Sequence, residues 1–156
     1  MFASLTPWLT LFAAIGSAMM AGLYFTFSNS VMPALSRISE GAAAMNQVNA
    51  IIQNPLFFVL FFGPVILSVA LIAAALLGAA PKPIWLIAGA LLFIGGSFII
   101  TVAVNVPLNN ALAAAGSEGA QSAQVWTNYL DRWVWWNHIR AAACTLAAAA
   151  FTIALM

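Results

Sequence analysis

Charged residues are absent from three long apolar runs, Trp8 to about Val31, Phe57 to about Gly78 and Ile84 to about Val104. Each exceeds the roughly 18 apolar residues that a bilayer-spanning helix needs. A fourth run extends from about Trp136 to Met156, its start blurred by the polar and aromatic stretch DRWVWWNHIR at 131–140. The pattern predicts an all-α protein, a transmembrane four-helix bundle forming one domain over residues 1–156. Two short interfacial helices are predicted as well. Between Gly41 and Asn54, Met45, Val48 and Ile52 recur at helical spacing among Asn46, Gln47, Asn49 and Gln53, the pattern of a lid lying along the membrane interface. In the third connection Pro107 opens PLNNALAAAG, which Gly116 ends, and a further helix starts near Ser122 and runs into the fourth span.

Composition agrees with the pattern, since 65% of residues are hydrophobic and 4% charged, against about a quarter charged in soluble domains. The first run is too long for a signal core of about 7 to 15 residues and nothing basic precedes it, so it reads as a retained span. A formal net charge of +1 implies no nucleic-acid partner. Cys144 is the single cysteine, in an Ala-rich helix, and reads as a small packing residue.

Four spans with short links run up, down, up and down, which gathers the polar residues at one end. Asn29, Ser30, Arg37, Glu40, Asn46, Asn49 and Asn54 come there from the first connection and its flanks. Asn105, Asn109, Asn110, Glu118, Trp126, Tyr129, Asp131, Arg132, Asn137, His138 and Arg140 come from the third. The opposite end has the termini and the turn AAPKP, with Lys82 its only charge. Within the bilayer, Gly16, Ala18, Gly22, Gly89, Gly96 and the stretch AAACTLAAAA allow close helix packing.

The segment VNVPLNN at 104–110 has a simple reading. Pro107 lacks an N–H and disfavours helix at Val106, so the third span should end near Asn105, with asparagines satisfying the freed carbonyls. Asn54 before Pro55 is likewise a helix cap. Capping leaves the convergence of asparagines at one end unexplained.

Arg140 stands sixteen residues before the C-terminus, a helical length of roughly 24 Å against a hydrocarbon core of roughly 30 Å. It therefore lies at or just inside the edge of the apolar layer, either snorkelling to the headgroups or facing a partner in the bundle. In the second case Asn137 and Trp136 lie beside it, Trp136 as a ligand wall or cation–π partner. Trp133 and Trp135 read as interfacial anchors. His138, the single histidine, reads as either a hydrogen-bonded interfacial group or a general base, and it excludes bis-histidine haem. No metal site is expected. Phosphate loops, CxxC pairs, HExxH helices and nucleophile elbows are absent.

Taken jointly, AGLYFTFSNSVMPAL at 21–35, NPLF at 54–57, VNVPLNNAL at 104–112 and WNHIR at 136–140 resemble the anthrone oxygenase-like family of small four-helix membrane proteins. The resemblance implies an oxidoreductase that converts an anthrone to an anthraquinone with molecular oxygen and no prosthetic group. Its shared positions here are Asn29, Asn54, Asn105, Pro107, Asn109, Asn137 and Arg140.

An anthrone's carbanion is a conjugated phenolate that can reduce oxygen directly, so the protein need only bind and stabilise it. A pocket walled by Phe27, Phe57 and Trp136 would hold the rings. Asn29, Asn54, Asn105, Asn109 and Asn137 would supply donors, Arg140 would stabilise the oxyanion and His138 would take the proton. The expectation is thus a membrane protein acting on a hydrophobic aromatic molecule in the bacterial inner membrane. Its oligomeric state is left open. By the positive-inside rule Arg37, Arg132 and Arg140, against Lys82, point the polar end to the cytoplasm, but leaving functional or buried arginines out of the count erases the difference, so orientation is left open. The rival reading is a noncatalytic membrane protein that binds lipid or quinone or stabilises a larger assembly; transport is weaker, because one arginine makes a poor relay.

Overall fold

A computed structural model describes residues 2–116 and 120–156. Four helices are long and apolar enough to cross a membrane: Ser4–Leu35, Pro55–Leu76, Pro83–Ala114 and Gln121–Leu155. These spans are helical throughout, and among the described residues there is no strand. The chain is a multi-pass membrane protein. Its helices form a ring in which the first span packs on the fourth and second, and the third on the second and fourth.

Three spans are longer than the apolar runs foretell. The third span does not stop at Asn105, which corrects the expected break at Pro107. Instead its backbone widens into π turns at Ile94–Ile99 and Thr101–Asn105 and continues as Val106–Ala114. The first span does the same at Phe27–Val31 before Met32–Leu35, which contains Pro33. In each case the π turn ends two residues before a proline, with Met32 N–H bonding to Phe27 O and Val106 N–H to Thr101 O. A proline ring collides with the carbonyl four residues back and offers it no donor. Widening the turn re-registers the hydrogen bonds, so the helix passes the proline. The fourth helix starts at Ala120, and its 36 residues extend about 54 Å, far beyond the hydrocarbon core. Its first turns therefore stand outside that core.

The second span has 22 residues and its first and third neighbours 32 each, a shortfall of about 15 Å at 1.5 Å per residue. At the polar end the short helix Gly41–Ile51 fills part of the missing wall. It is the expected lid, and Met45 seats it in a cluster with Met32, Leu112, Tyr129 and Trp133. A separate core deeper in the bundle joins Met20, Tyr24, Phe61, Phe93, Cys144 and Phe151. Small residues set the spacing there: a Cβ on Gly16 would meet Pro64 Cγ at 2.6 Å, one on Gly89 would meet the Phe151 ring at 2.8 Å, and one on Gly96 would collide with Ala143 Cβ. Gly22 and Ala18, by contrast, are exposed and contribute no such approach. Gly116, at φ +73°, ends the third helical run as expected. Glu118 lies outside the described residues.

Candidate functional site

A cavity of about 330 Å³ lies between the two cores at the polar end, lined by all four spans and the short helix. Arg140, which lines it, is 4% exposed and therefore does not snorkel. Arg140 Nη1 donates to Thr101 Oγ1 at 3.0 Å and Nη2 to Asn137 Oδ1 at 2.5 Å. The guanidinium carbon stands 4.2 Å from the centroid of the Tyr24 ring and 5.3 Å from that of Trp133. Two aromatic faces thus supply the cation with quadrupole attraction in place of water. Of the described acids, Glu40 and Asp131 are exposed, and neither bonds to it. Burying a cation without a carboxylate is costly and marks a functional group or an anion site.

The surrounding side chains hold that arrangement. Asn137, fully buried, donates through Nδ2 to the Tyr24 carbonyl and to Ser28 Oγ, each at 2.6 Å, so it joins the first span to Arg140. Asn105 donates to the Trp133 carbonyl at 3.3 Å, and Thr101 donates to the Ser97 carbonyl at 2.7 Å. Nearer the rim, Tyr129 Oη donates to Asn109 Oδ1 at 2.8 Å and accepts from Asn49 Nδ2 at 3.5 Å, which ties the short helix to the third and fourth spans. Trp126, Tyr129 and Trp133 form a column of stacked rings with centroids 5.7 and 5.6 Å apart, leading down to Arg140. Phe57, stacked on Phe61 at 5.6 Å, and Phe27 complete aromatic walls.

Of the side chains expected at the site, Phe27, Phe57, Asn105, Asn109, Asn137 and Arg140 line this cavity together. Four do not. Asn29 is exposed and bonds back to the Phe25 carbonyl of its own helix. Asn54 is exposed and caps the second span by accepting from Phe57 N at 3.1 Å. His138 is exposed and outside the cavity, two residues from Arg140, hence about 200° away around the helix. Trp136 is half-buried and also outside it. Trp133, expected as an interfacial anchor, takes the inner place. Seven residues put it within about 20° of Arg140 on the helical wheel, whereas Trp136 lies about 40° to the other side.

Tyr24, Thr101, Met45 and Asn49 line the cavity without having been singled out as site residues. A signal existed for one face: Trp126, Tyr129, Trp133, Asn137 and Arg140 follow one another at spacings of three and four. Tyr24 lies within the motif AGLYFTFSNSVMPAL, but nothing in that motif marked its side chain as facing the site. Among the described residues no three His, Cys, Asp or Glu side chains group as metal ligands.

A family model described as anthrone oxygenase matches residues 57–150, more than half of the chain. The chain belongs to the anthrone oxygenase family. The matched region holds the third span and most of the second and fourth and, from the cavity, Phe57, Thr101, Asn105, Asn109, Trp133, Asn137 and Arg140. Tyr24, Phe27 and the short helix, which complete the cavity in this anthrone oxygenase-family chain, precede it. Neither a curated protein nor a solved structure matches the chain.

Proposed function

We propose that the cavity binds a polycyclic phenolic compound of the anthrone type as its oxyanion and promotes its oxidation by molecular oxygen. The bilayer is that of a bacterial inner membrane. The observation that carries this reading is Arg140, a buried cation without a carboxylate beside an aromatic-walled cavity. A volume of about 330 Å³ lies at the small end of ligand pockets, which run from about 300 to 1,000 Å³. It favours a few fused rings over a two-tailed lipid.

The chemistry assigned to the protein is stabilisation of charge. The methylene of the substrate loses a proton to water at the polar rim and becomes a conjugated phenolate, whose oxygen Arg140 favours electrostatically. The carbanion carbon gives an electron to O₂, and the pair combines there as a peroxide. Loss of the remaining C–H proton and cleavage of the O–O bond leave a carbonyl and water. One oxygen atom ends in the quinone and the other in water.

The test is oxygen uptake by purified protein in nanodiscs given anthrone, with quinone formation followed by absorbance. Equal amounts of oxygen consumed and quinone formed, above the rate in empty nanodiscs, are expected. Anthrone binding without uptake would replace this reading by a noncatalytic lipid- or quinone-binding role.

A further inference from the structure

We propose that the cavity is loaded sideways from the lipid, through a gap between the second and third spans, by an amphipathic aromatic molecule already dissolved in the bilayer. This rests on the ligand class argued above and adds a route and a set of gating residues. Phe58 and Phe62 on the second span and Val102 and Val106 on the third line the cavity, yet they are 41%, 44%, 53% and 42% exposed. Such side chains have one face on the cavity and another on the outer surface of the bundle. They mark an opening in its wall.

The opening has a structural cause. The second span packs on the third along Pro83–Phe93 and Ile94–Ile99, and the contact thins out by Thr101–Asn105, where the third helix has its second π turn. The walls formed by the first and fourth spans are closed, since Tyr24, Trp133, Asn137 and Arg140 are each at most 5% exposed, and Met45 of the lid is 1% exposed. Phe58 and Phe62 fall three and seven residues inside the start of the second span at Pro55, a depth of about 5 to 10 Å. Amphipathic molecules with an apolar body and a polar edge settle about that far into the boundary between headgroups and acyl chains. A ring system at this depth meets the gap edge-on, with Arg140 beyond it to receive the oxyanion.

A second rim, toward water, holds the exposed Gln53, and the test separates the two. Leu23→Cys, in a Cys144→Ala background, places a thiol on the cavity wall of protein in liposomes. It is treated either with a pyrene maleimide dissolved in the bilayer or with a disulfonated stilbene maleimide confined to water. Modification by the pyrene reagent is expected to be about tenfold or more faster than by the sulfonated one, and Val102→Trp is expected to slow it by about tenfold while Gln53→Trp changes it by less than about twofold. Val106→Trp repeats the obstruction one turn on, and thermal unfolding of each variant identifies any that misfolds.

Equal rates with both reagents, no reaction with the pyrene reagent, or slowing by Gln53→Trp but by neither valine substitution would overturn lateral loading. The reaction needs no substrate. Absence of oxygen uptake with lateral modification intact would therefore remove the oxidation and leave the portal.

Discussion

Asn137 and Arg140 are joined by a 2.5 Å hydrogen bond from the guanidinium to the carboxamide oxygen, while the carboxamide nitrogen is committed to Tyr24 O and Ser28 Oγ. The pair therefore acts as one unit: the asparagine takes its place from the first span and passes it to the arginine. A carboxylate at 137 would neutralise the cation, whereas the neutral amide holds it and leaves its charge for a ligand.

Asn137→Asp is expected to give Arg140 an internal counter-ion, and affinity for an anthrone-type phenolate should fall by about tenfold or more. Titration of the intrinsic tryptophan fluorescence with an anthraquinone phenol measures it. Asn137→Ala leaves three buried groups without their partner, so it should lower unfolding stability by about 2–4 kcal/mol, read from thermal or denaturant unfolding in detergent.

Arg140→Lys keeps the charge but loses the planar fork that reaches Thr101 and Asn137 together and lies on the Tyr24 ring. Oxygen uptake with anthrone should fall by about 10² in a protein that still folds. Turnover near that of the unaltered protein would exclude Arg140 from charge stabilisation.

His138→Ala should leave uptake and its pH profile close to those of the unaltered protein, because His138 is exposed on another face of the helix. A change within about twofold is expected, the ordinary range for a surface substitution away from a site. A fall in uptake of about tenfold or more would instead place this imidazole in proton transfer.

Gly96→Ala puts a methyl group against Ala143 Cβ, where neither side chain has rotamers with which to yield. The third and fourth spans must then move apart, at a cost of about 1–3 kcal/mol in unfolding experiments. The same shift moves Thr101 relative to Arg140, so ligand affinity should drop along with stability.

Four spans, the interfacial lid and the gathering of polar residues at one end were legible in the sequence, because each follows from apolar run length, helical period and chain parity. The family was legible too, and the match over residues 57–150 contains two of the motifs that carried it, VNVPLNNAL at 104–112 and WNHIR at 136–140. These properties belong to single segments or to their order along the chain. For Arg140 the sequence left two orientations open, snorkelling or facing a partner beside Asn137, and its burial in the bundle decided for the second.

Tertiary structure decided which neighbours of Arg140 face inward. Asn29, Asn54, Asn105 and Asn109 are alike in lying within four residues of a proline, yet two serve their own helix backbones and two line the cavity. The difference arises because the third helix widens and continues past Pro107, which stacks Asn105 and Asn109 one turn apart, and local propensity cannot anticipate such a turn. Trp133 and Trp136 are similarly close to Arg140 on the helical wheel, and only the packing of the fourth span on the first chose between them. Tyr24 became a cation–π partner for the same reason: its ring meets Arg140 across 116 residues of chain. A sequence records the period of each helix, but the rotation of one helix against another is set by the side chains and small residues of both.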